Sequence, residues 1–299
     1  MGVKLAIAMP FRFKKSETLE KAVRRVGDER IRAALKWLEK ARRPAAIHSV
    51  RKEIKKLRAL LRLVRGEMGR DEYRRSVKPL RRGAELLAAS RDARVIFRAL
   101  ENLVEDAGTQ FPKLHRFLRK HWRREARRLM EGNAMSEAER FLCKTRRQLR
   151  RLAVKSSGWM AIEPGLKQCY QRGQETNALA VREPTPENFH AWRKQVKTFW
   201  YQLQLICPKR SREAQNFIDE LEHLGMQLGK EHDLVLLKQF IDGQYCAEAD
   251  EVVAVGKLIE TSRRKLRQTA LKLGGQLFAD EPATVCFWLK KYWRERRGG

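Results

Sequence analysis

Two stretches of this chain read almost alike. They are His48-Ser49-Val50-Arg51-Lys52-Glu53-Ile54-Lys55 and, 142 residues later, His190-Ala191-Trp192-Arg193-Lys194-Gln195-Val196-Lys197. Each has a histidine followed by basic residues at i+3, i+4 and i+7, a spacing that collects side chains on one side of an α-helix. At the same offset Val50, Ile54, Leu57, Leu61 and Val64 coincide with Trp192, Val196, Phe199, Leu203 and Ile206, so the apolar face recurs with the charged one. At an offset of 141, Leu80 and Leu87 coincide with Leu221 and Leu228, Asp92 with Asp233, and Arg123-Arg124 with Arg264-Lys265. Phe141-Leu142, Lys144 and Arg150-Arg151 answer to Phe287-Trp288, Lys290 and Arg296-Arg297 at an offset of 146. The chain therefore reads as one duplicated unit over 1–299, with repeats at about 16–155 and about 158–297, each a succession of about four helices.

The periodicity predicts an all-α fold. Ser16 is expected to cap a first helix that carries Leu19, Val23, Val26, Ile31, Leu35 and Leu38 towards Pro44. The first motif helix is expected from Ala45 to Val64, followed by helices over 71–89, 91–107, 112–131 and 136–154. The second set is expected over 160–173, 187–206, 210–229, 232–242, 248–273 and 282–296. Breaks fall at Gly66 to Gly69, Gly108, Gly132-Asn133 and Ser156-Ser157-Gly158, which are turn chemistry. Alternating β patterns and Asn-Gly hairpin signals are absent from the sequence.

At 100° per residue, with Val50 at zero, Ile54, Leu57, Leu61 and Val64 fall at about +40°, −20°, +20° and −40°, a narrow apolar seam. His48, Arg51, Lys52, Lys55, Arg58 and Arg62 fall opposite, between about 80° and 200°, and at 1.5 Å per residue this stripe runs roughly 20 Å. In the second copy His190, Arg193, Lys194 and Lys197 form the stripe, continued by the less charged Trp200, Tyr201 and Gln204. On a single helix such a stripe would be an ordinary solvated face. Three details speak for binding here. Like charges at i,i+4, such as Arg51 with Lys55, destabilise a free helix. Both copies keep the histidine in register. Glu53, the acid within the first motif, lies at about 300° and so outside the stripe.

The whole chain carries 66 Lys plus Arg against 36 Asp plus Glu, a formal charge of +30. Such an excess repels itself unless something negative binds, and the partner it points to is a polyanion. Arg forks, Lys point charges and imidazoles all suit phosphate oxygens. No base-reading device such as an RNP-like strand, zinc finger or basic zipper is evident. The five cysteines (Cys143, Cys169, Cys207, Cys246 and Cys286) form no CxxC or Cys/His cluster and read as free thiols of a reducing cytoplasm. The apolar run within Met1–Met9 is too short for a secretory signal, and no run is long enough to span a bilayer, so a cytoplasmic chain without membrane contact is expected.

These residues resemble the CHAD domain family, alpha-helical domains with characteristic histidines. The motif stands here as H-S-V-R-K-E-I-K-K-L-R and H-A-W-R-K-Q-V-K. The family's L-G-x-x-R-D signature is similar to Leu87-Ala88-Ala89-Ser90-Arg91-Asp92 and to Leu228-Gly229-Lys230-Glu231-His232-Asp233. The resemblance implies two four-helix bundles related by pseudo-twofold symmetry, with basic faces turned to a central groove or pore that binds inorganic polyphosphate. The implied contacts are His48, Arg51, Lys52, Lys55, Arg58, Arg62, His190, Arg193, Lys194 and Lys197. Arg91 and Lys230 in the signature segments, and Arg123 and Arg264 in the repeated basic pair, are further candidates. Polyphosphate-granule proteins are implied partners and nucleic acid a nonspecific competitor. Ala88 departs from the signature glycine, His232 from its arginine, and Trp200 stands where Arg58 stands in the first helix, so the first half is expected to contribute more.

Many members of the family are joined to a triphosphate-processing tunnel domain. Here the nearest approach to its E-x-E-x-K strand is Glu137-Ala138-Glu139-Arg140-Phe141, in a helical pattern and lacking the lysine. No carboxylate pair, glycine-rich phosphate loop or metal set sits near His48 or His190, so neither catalysis nor a cofactor is expected. His223, and His232 with Asp233, read as helix surface or cap rather than metal ligands. His115 and His121 do not share a helix face. Trp37, Trp159 and Trp288 read as core or groove wall. Crowded cations are expected to depress the histidine pKa values and bound phosphate to raise them, so that binding takes up protons between pH 8 and 6. A nonspecific nucleic-acid binder and, less expected, a polyphosphate-processing enzyme remain the alternatives from the residues alone.

Overall fold

A computed structural model describes residues 11–42, 45–156, 158–207, 211–245 and 249–298. Met1–Met9, Pro44, Ser157 and Cys246 lie outside the described residues, as do the side chains of Arg296 and Arg297. The described residues form α-helices joined by short turns: α1 (Leu19–Leu38), α2 (Ala46–Leu63), α3 (Arg70–Leu86), α4 (Ala88–Ala107), α5 (Pro112–Glu131), α6 (Ala134–Arg151), α7 (Glu163–Arg182), α8 (Pro186–Ile206), α9 (Arg212–Gln244), α10 (Ala249–Leu277) and α11 (Pro282–Gly298). Among the described residues no helix is long and apolar enough to cross a membrane.

Local chemistry explains the ends. The cap of α1 is Thr18 rather than Ser16: its hydroxyl accepts from the Lys21 amide at 3.3 Å, while the Glu17 carboxylate ties the Lys14 amide in a turn ahead of the helix. Thr185 and Ser211 cap α8 and α9 in the same way. Gly108, with φ 63°, closes α4 in the left-handed conformation that a side chain disfavours.

Two expected breaks do not occur. α7 passes Gly173 and runs to Arg182, and α9 runs unbroken for 33 residues through Gly229. Gly173 serves packing rather than termination. A Cβ at Gly173 would lie 2.4 Å from Phe278 Cε1, and glycine within a helix costs only about 1 kcal/mol relative to alanine. In the first half the position equivalent to mid-α9 does break, at Leu87, so α3 and α4 together answer to α9.

The packing extends the four-helix expectation. α1, α2, α3 and α6 form one bundle, and α7, α8, the N-terminal half of α9 and α11 form another. They meet where α2 lies against α8, and a continuous core runs through both. Val50, Ile54, Leu57 and Leu61 of α2, and Trp192, Val196, Phe199 and Leu203 of α8, are all at most 1% exposed, each side chain contributing about 1.5–3 kcal/mol by burial. The remaining elements, α4, α5, the C-terminal half of α9 and the N-terminal half of α10, extend from the bundles and close a smaller core of their own around Leu100, Leu114, Leu237 and Ile259, while the C-terminal half of α10 returns to the main core at Ala270 and Leu277. The parallel order of partners in the two halves is consistent with duplication, but each half has more helices than four because these arms are additional.

Candidate functional site

With their apolar seams buried against each other's bundles, α2 and α8 turn their basic stripes to a common space. Glu53 does face away from it, as its angle predicts: it is buried and held by Arg30 Nη1 at 3.3 Å and Lys56 Nζ at 2.9 Å. The stripe of α2 keeps His48, Lys52 and Arg58 exposed and Arg51, Lys55 and Arg62 half-buried. On α8, Lys194 is exposed and His190, Arg193 and Lys197 are half-buried. The two stripes touch at Arg62, which donates to Gln195 Oε1 at 3.1 Å. Arg51 donates to the Ala84 carbonyl of α3.

The continuation of the second stripe is not as expected. Trp200 and Tyr201 are each 5% exposed and belong to the core, because that end of α8 is covered by the first bundle, where Gln202 donates to the Ala59 carbonyl. Trp200 still serves the stripe indirectly, since Lys197 Nζ lies 4.4 Å from its ring centroid.

Four residues from the signature segments complete the cluster. Arg91 of α4 donates to Asp92 Oδ1 at 2.6 Å and stands 3.8 Å from Asp233 Oδ1 of α9. His232 stacks on His190 with centroids 4.1 Å apart. His232 and Asp233 therefore belong to the site rather than to an outer helix surface, a correction to the reading of the sequence. His223 is an exposed surface residue, hydrogen-bonded to Gln227. The coincidence of Asp92 with Asp233 in the repeat was the signal for the central carboxylates. His232 was hidden by its departure from arginine. Gly225 of α9 makes room for the α8 stripe: a Cβ there would stand 3.0 Å from Lys197 Nζ.

The electrostatics follow from this crowding. Burial, then Arg193, Arg91 and Arg51, pushes Lys55 down to about 7, with Asp233 partly offsetting them. Burial, then Arg193, lowers Lys197 to about 8. His190 falls to about 4 and His232 to about 3, first by desolvation and then by the cations around them. His48, whose ring still reaches solvent, is lowered by the protein around it and by Lys55, Arg91, Arg94 and Lys52. Burial raises Asp233 in spite of Arg193, Arg91 and Lys55. His190 Nδ1 and Arg193 Nε are buried without a hydrogen bond. At neutral pH the site thus holds neutral imidazoles and strained cations.

The remaining candidates divide. Arg91 is at the centre, and Lys230 stands at the cluster's edge, lining a cavity with His48, Arg91 and Asp233. Arg123 is exposed on α5, and Arg264 is exposed on α10 in a shallow depression with Arg263 and Arg267; neither is brought to the cluster. Arg263 and Arg267 are compensated by Glu231, 1% exposed, whose Oε1 accepts from Arg263 Nη2 at 3.1 Å and Arg267 Nε at 2.9 Å. Trp37, Trp159 and Trp288 pack in or against the main core. Cys143, Cys169 and Cys286 are free thiols. Among the described residues no group of three or more His, Cys, Asp or Glu side chains is placed to hold a metal ion.

Comparison with known proteins agrees with this arrangement. A search of curated proteins finds no match. The structure is similar to the crystal structure of the CHAD domain from the plant Ricinus communis, with a TM-score of 0.66 and 14% identity over 93% of this chain and 97% of that one, a likeness of fold. The family model of the CHAD domain matches residues 25–242, a span that holds both histidine helices and both signature segments, and the chain belongs to the CHAD domain family.

Proposed function

We propose that this protein binds inorganic polyphosphate, without catalysis, in a groove between the basic faces of α2 and α8. The observation that carries the reading is that Lys55 and Arg193, one from each half, are both half-buried within reach of Arg91, Arg193 also acts on Lys55, and Asp233 offsets them only in part. A linear polyanion supplies the missing charge at every helical turn. His48, Arg51, Lys52, Lys55, Arg58 and Arg62 line one wall and His190, Arg193, Lys194 and Lys197 the other, with neutral imidazoles able to donate to phosphate oxygens. Capture is driven largely by release of the polymer's counterions, so affinity falls steeply with salt. The family's association with polyphosphate supports the same ligand. Recruitment to polyphosphate granules in the cytoplasm, through the polymer or its bound proteins, is the cellular role that fits.

One feature favours a second reading, nonspecific contact with nucleic acid: Arg116, Arg119, Arg123 and Arg127 lie exposed along α5, away from the cluster. Calorimetric titration at near-physiological salt with long-chain polyphosphate and with duplex DNA separates the two. The proposal expects tight polyphosphate binding, abolished by changing His48, Lys55, His190 and Lys197 to alanine, and weak DNA binding. Equal affinity for both polymers, or indifference to the four changes, would overturn it.

A further inference from the structure

Beside the cationic cluster lies a cavity of about 1250 Å³ to which polyphosphate gives no role. Its walls come from α4, α5, α9 and α10, and the chain between α1 and α2 reaches its edge at Ala41, Arg42 and Ala45. At the outer end of these arms Phe117 packs on Phe240 and Tyr245, with centroids 6.0 and 5.1 Å apart. Nearer the cluster, Ala126 and Met130 of α5 and Leu258 and Leu266 of α10 face the open space. Aliphatic side chains make up nearly half of the lining, with Val95, Leu103 and Leu234 on the α4 and α9 walls. Its one indole, Trp122, is stacked on Phe97 at 5.3 Å and is no free platform for a base. Arg91, Arg94 and Lys230 stand with the His48 imidazole where the cavity meets the cluster, and Arg42, Arg98, Arg127 and Lys265 line it elsewhere. The carboxylates of the lining, Asp106, Glu131 and Asp233, are outnumbered by its arginines and lysines.

An aliphatic cavity with a cationic rim suits a ligand with two ends. Inorganic polyphosphate has only one kind of surface and cannot fill it. We propose that this cavity takes the aliphatic chain of a monomeric phosphate-headed amphiphile, a long-chain alkyl phosphate monoester by chemical class, whose phosphate rests on His48, Arg91 and Arg94. The proposal rests on reading the cluster as a phosphate site, and it makes the amphiphile a competitor of polyphosphate at the shared rim.

The test is calorimetric titration of the full chain with butyl, octyl and dodecyl phosphate below their micellar concentrations, with polyphosphate titrated into the same preparation. Affinity is expected to rise by about fourfold per added methylene until the cavity is full. Ala126→Trp, which fills the space, should remove the dependence on chain length and leave butyl phosphate and polyphosphate binding unchanged; Leu258→Gln tests the opposite wall should the first variant not fold. Vesicles carrying phosphatidic acid, whose chains stay in the bilayer, should bind no more tightly than butyl phosphate. Equal affinity for butyl and dodecyl phosphate, vesicle binding that exceeds both, or dodecyl phosphate binding indifferent to both variants would overturn the cavity assignment. Loss of polyphosphate binding alone, with the chain-length dependence intact, would overturn the function of the groove and leave the cavity's.

Discussion

Lys55 offers a direct measure of how much folding free energy this domain gives up to hold its site open. Its ammonium is carried into a half-buried position facing Arg193, Arg91 and Arg51, and its pKa falls from 10.5 to about 7. At 1.36 kcal/mol per decade, that fall corresponds to about 5 kcal/mol of disfavour for the charged form, of which solvent and movement of the neighbours return a large part. Lys55→Met keeps the aliphatic stem and removes the charge. The free protein should therefore gain about 1–2 kcal/mol at pH 7, read as a higher urea midpoint at unchanged m-value. Polyphosphate affinity should fall by roughly tenfold, since a charge-assisted contact of about 1.5 kcal/mol is lost. A gain in one quantity with a loss in the other marks a residue kept for binding. A destabilised variant, or one that binds polyphosphate as before, would refute the placement of Lys55 in a strained cationic site.

Other consequences follow from the same geometry. Asp233→Asn removes a carboxylate whose charged form burial disfavours even beside Arg91, Arg193 and Lys55, so it should leave the stability of the free protein unchanged or slightly raised at pH 7 and tighten polyphosphate several-fold by calorimetry. Gly225→Ala should raise stability by about 0.5–1 kcal/mol through helix propensity while weakening polyphosphate, because the new Cβ displaces Lys197, whereas Gly173→Ala should cost about 2 kcal/mol against Phe278 in thermal unfolding. The histidines give a pH dependence. With His190 at about 4 and His232 at about 3 in the folded protein against 6.5 when free, the unfolded chain binds more protons across that interval, so stability falls as pH drops from 6.5 towards 4. Polyphosphate, which raises these values, should flatten that loss in denaturant titrations. Proton uptake on binding between pH 8 and 7 should come mainly from Lys55 and Lys197 and shrink in their alanine variants.

The sequence carried the helices and the charged faces because both depend on periodicity alone. The seam of Val50, Ile54, Leu57 and Leu61 and its copy at Trp192, Val196, Phe199 and Leu203 were legible as buried, and Glu53 as outside the stripe. What failed was context. Gly173 and Gly229 read as breaks because glycine usually ends helices, yet both lie inside continuous helices; at Gly173 the close approach of Phe278 requires the missing Cβ, while at Gly229 a Cβ would meet Arg193 only at ordinary contact distance. Trp200 and Tyr201 shared an angle with the basic stripe, but the end of α8 that carries them is covered by the first bundle, so angle alone misplaced them. His232 was assigned to a surface because a helix that runs through Gly229 rotates it onto His190, and no local pattern reports that continuity.

The two halves are unequal in a way that follows from their burial. In the first, the stripe runs the length of α2 to Arg58 and Arg62; in the second, it stops at Lys197, where Trp200 takes the place of an arginine and supports the lysine above it. Lys52 stands near Lys197, Lys55 near Arg193 and Arg58 near Lys194, and Arg62 donates to Gln195, so the two stripes face each other over this length and a linear polyanion would meet both walls along it. Two carboxylates lie beside it, Asp92 of α4 and Asp233 of α9, with Arg91 against both. They offset part of the repulsion among the cations, and solvent screens the rest where the side chains are exposed. Covering the C-terminal end of α8 with the first bundle and keeping these two acids beside the stripes lets the chain hold half-buried cations from two helices in one folded structure.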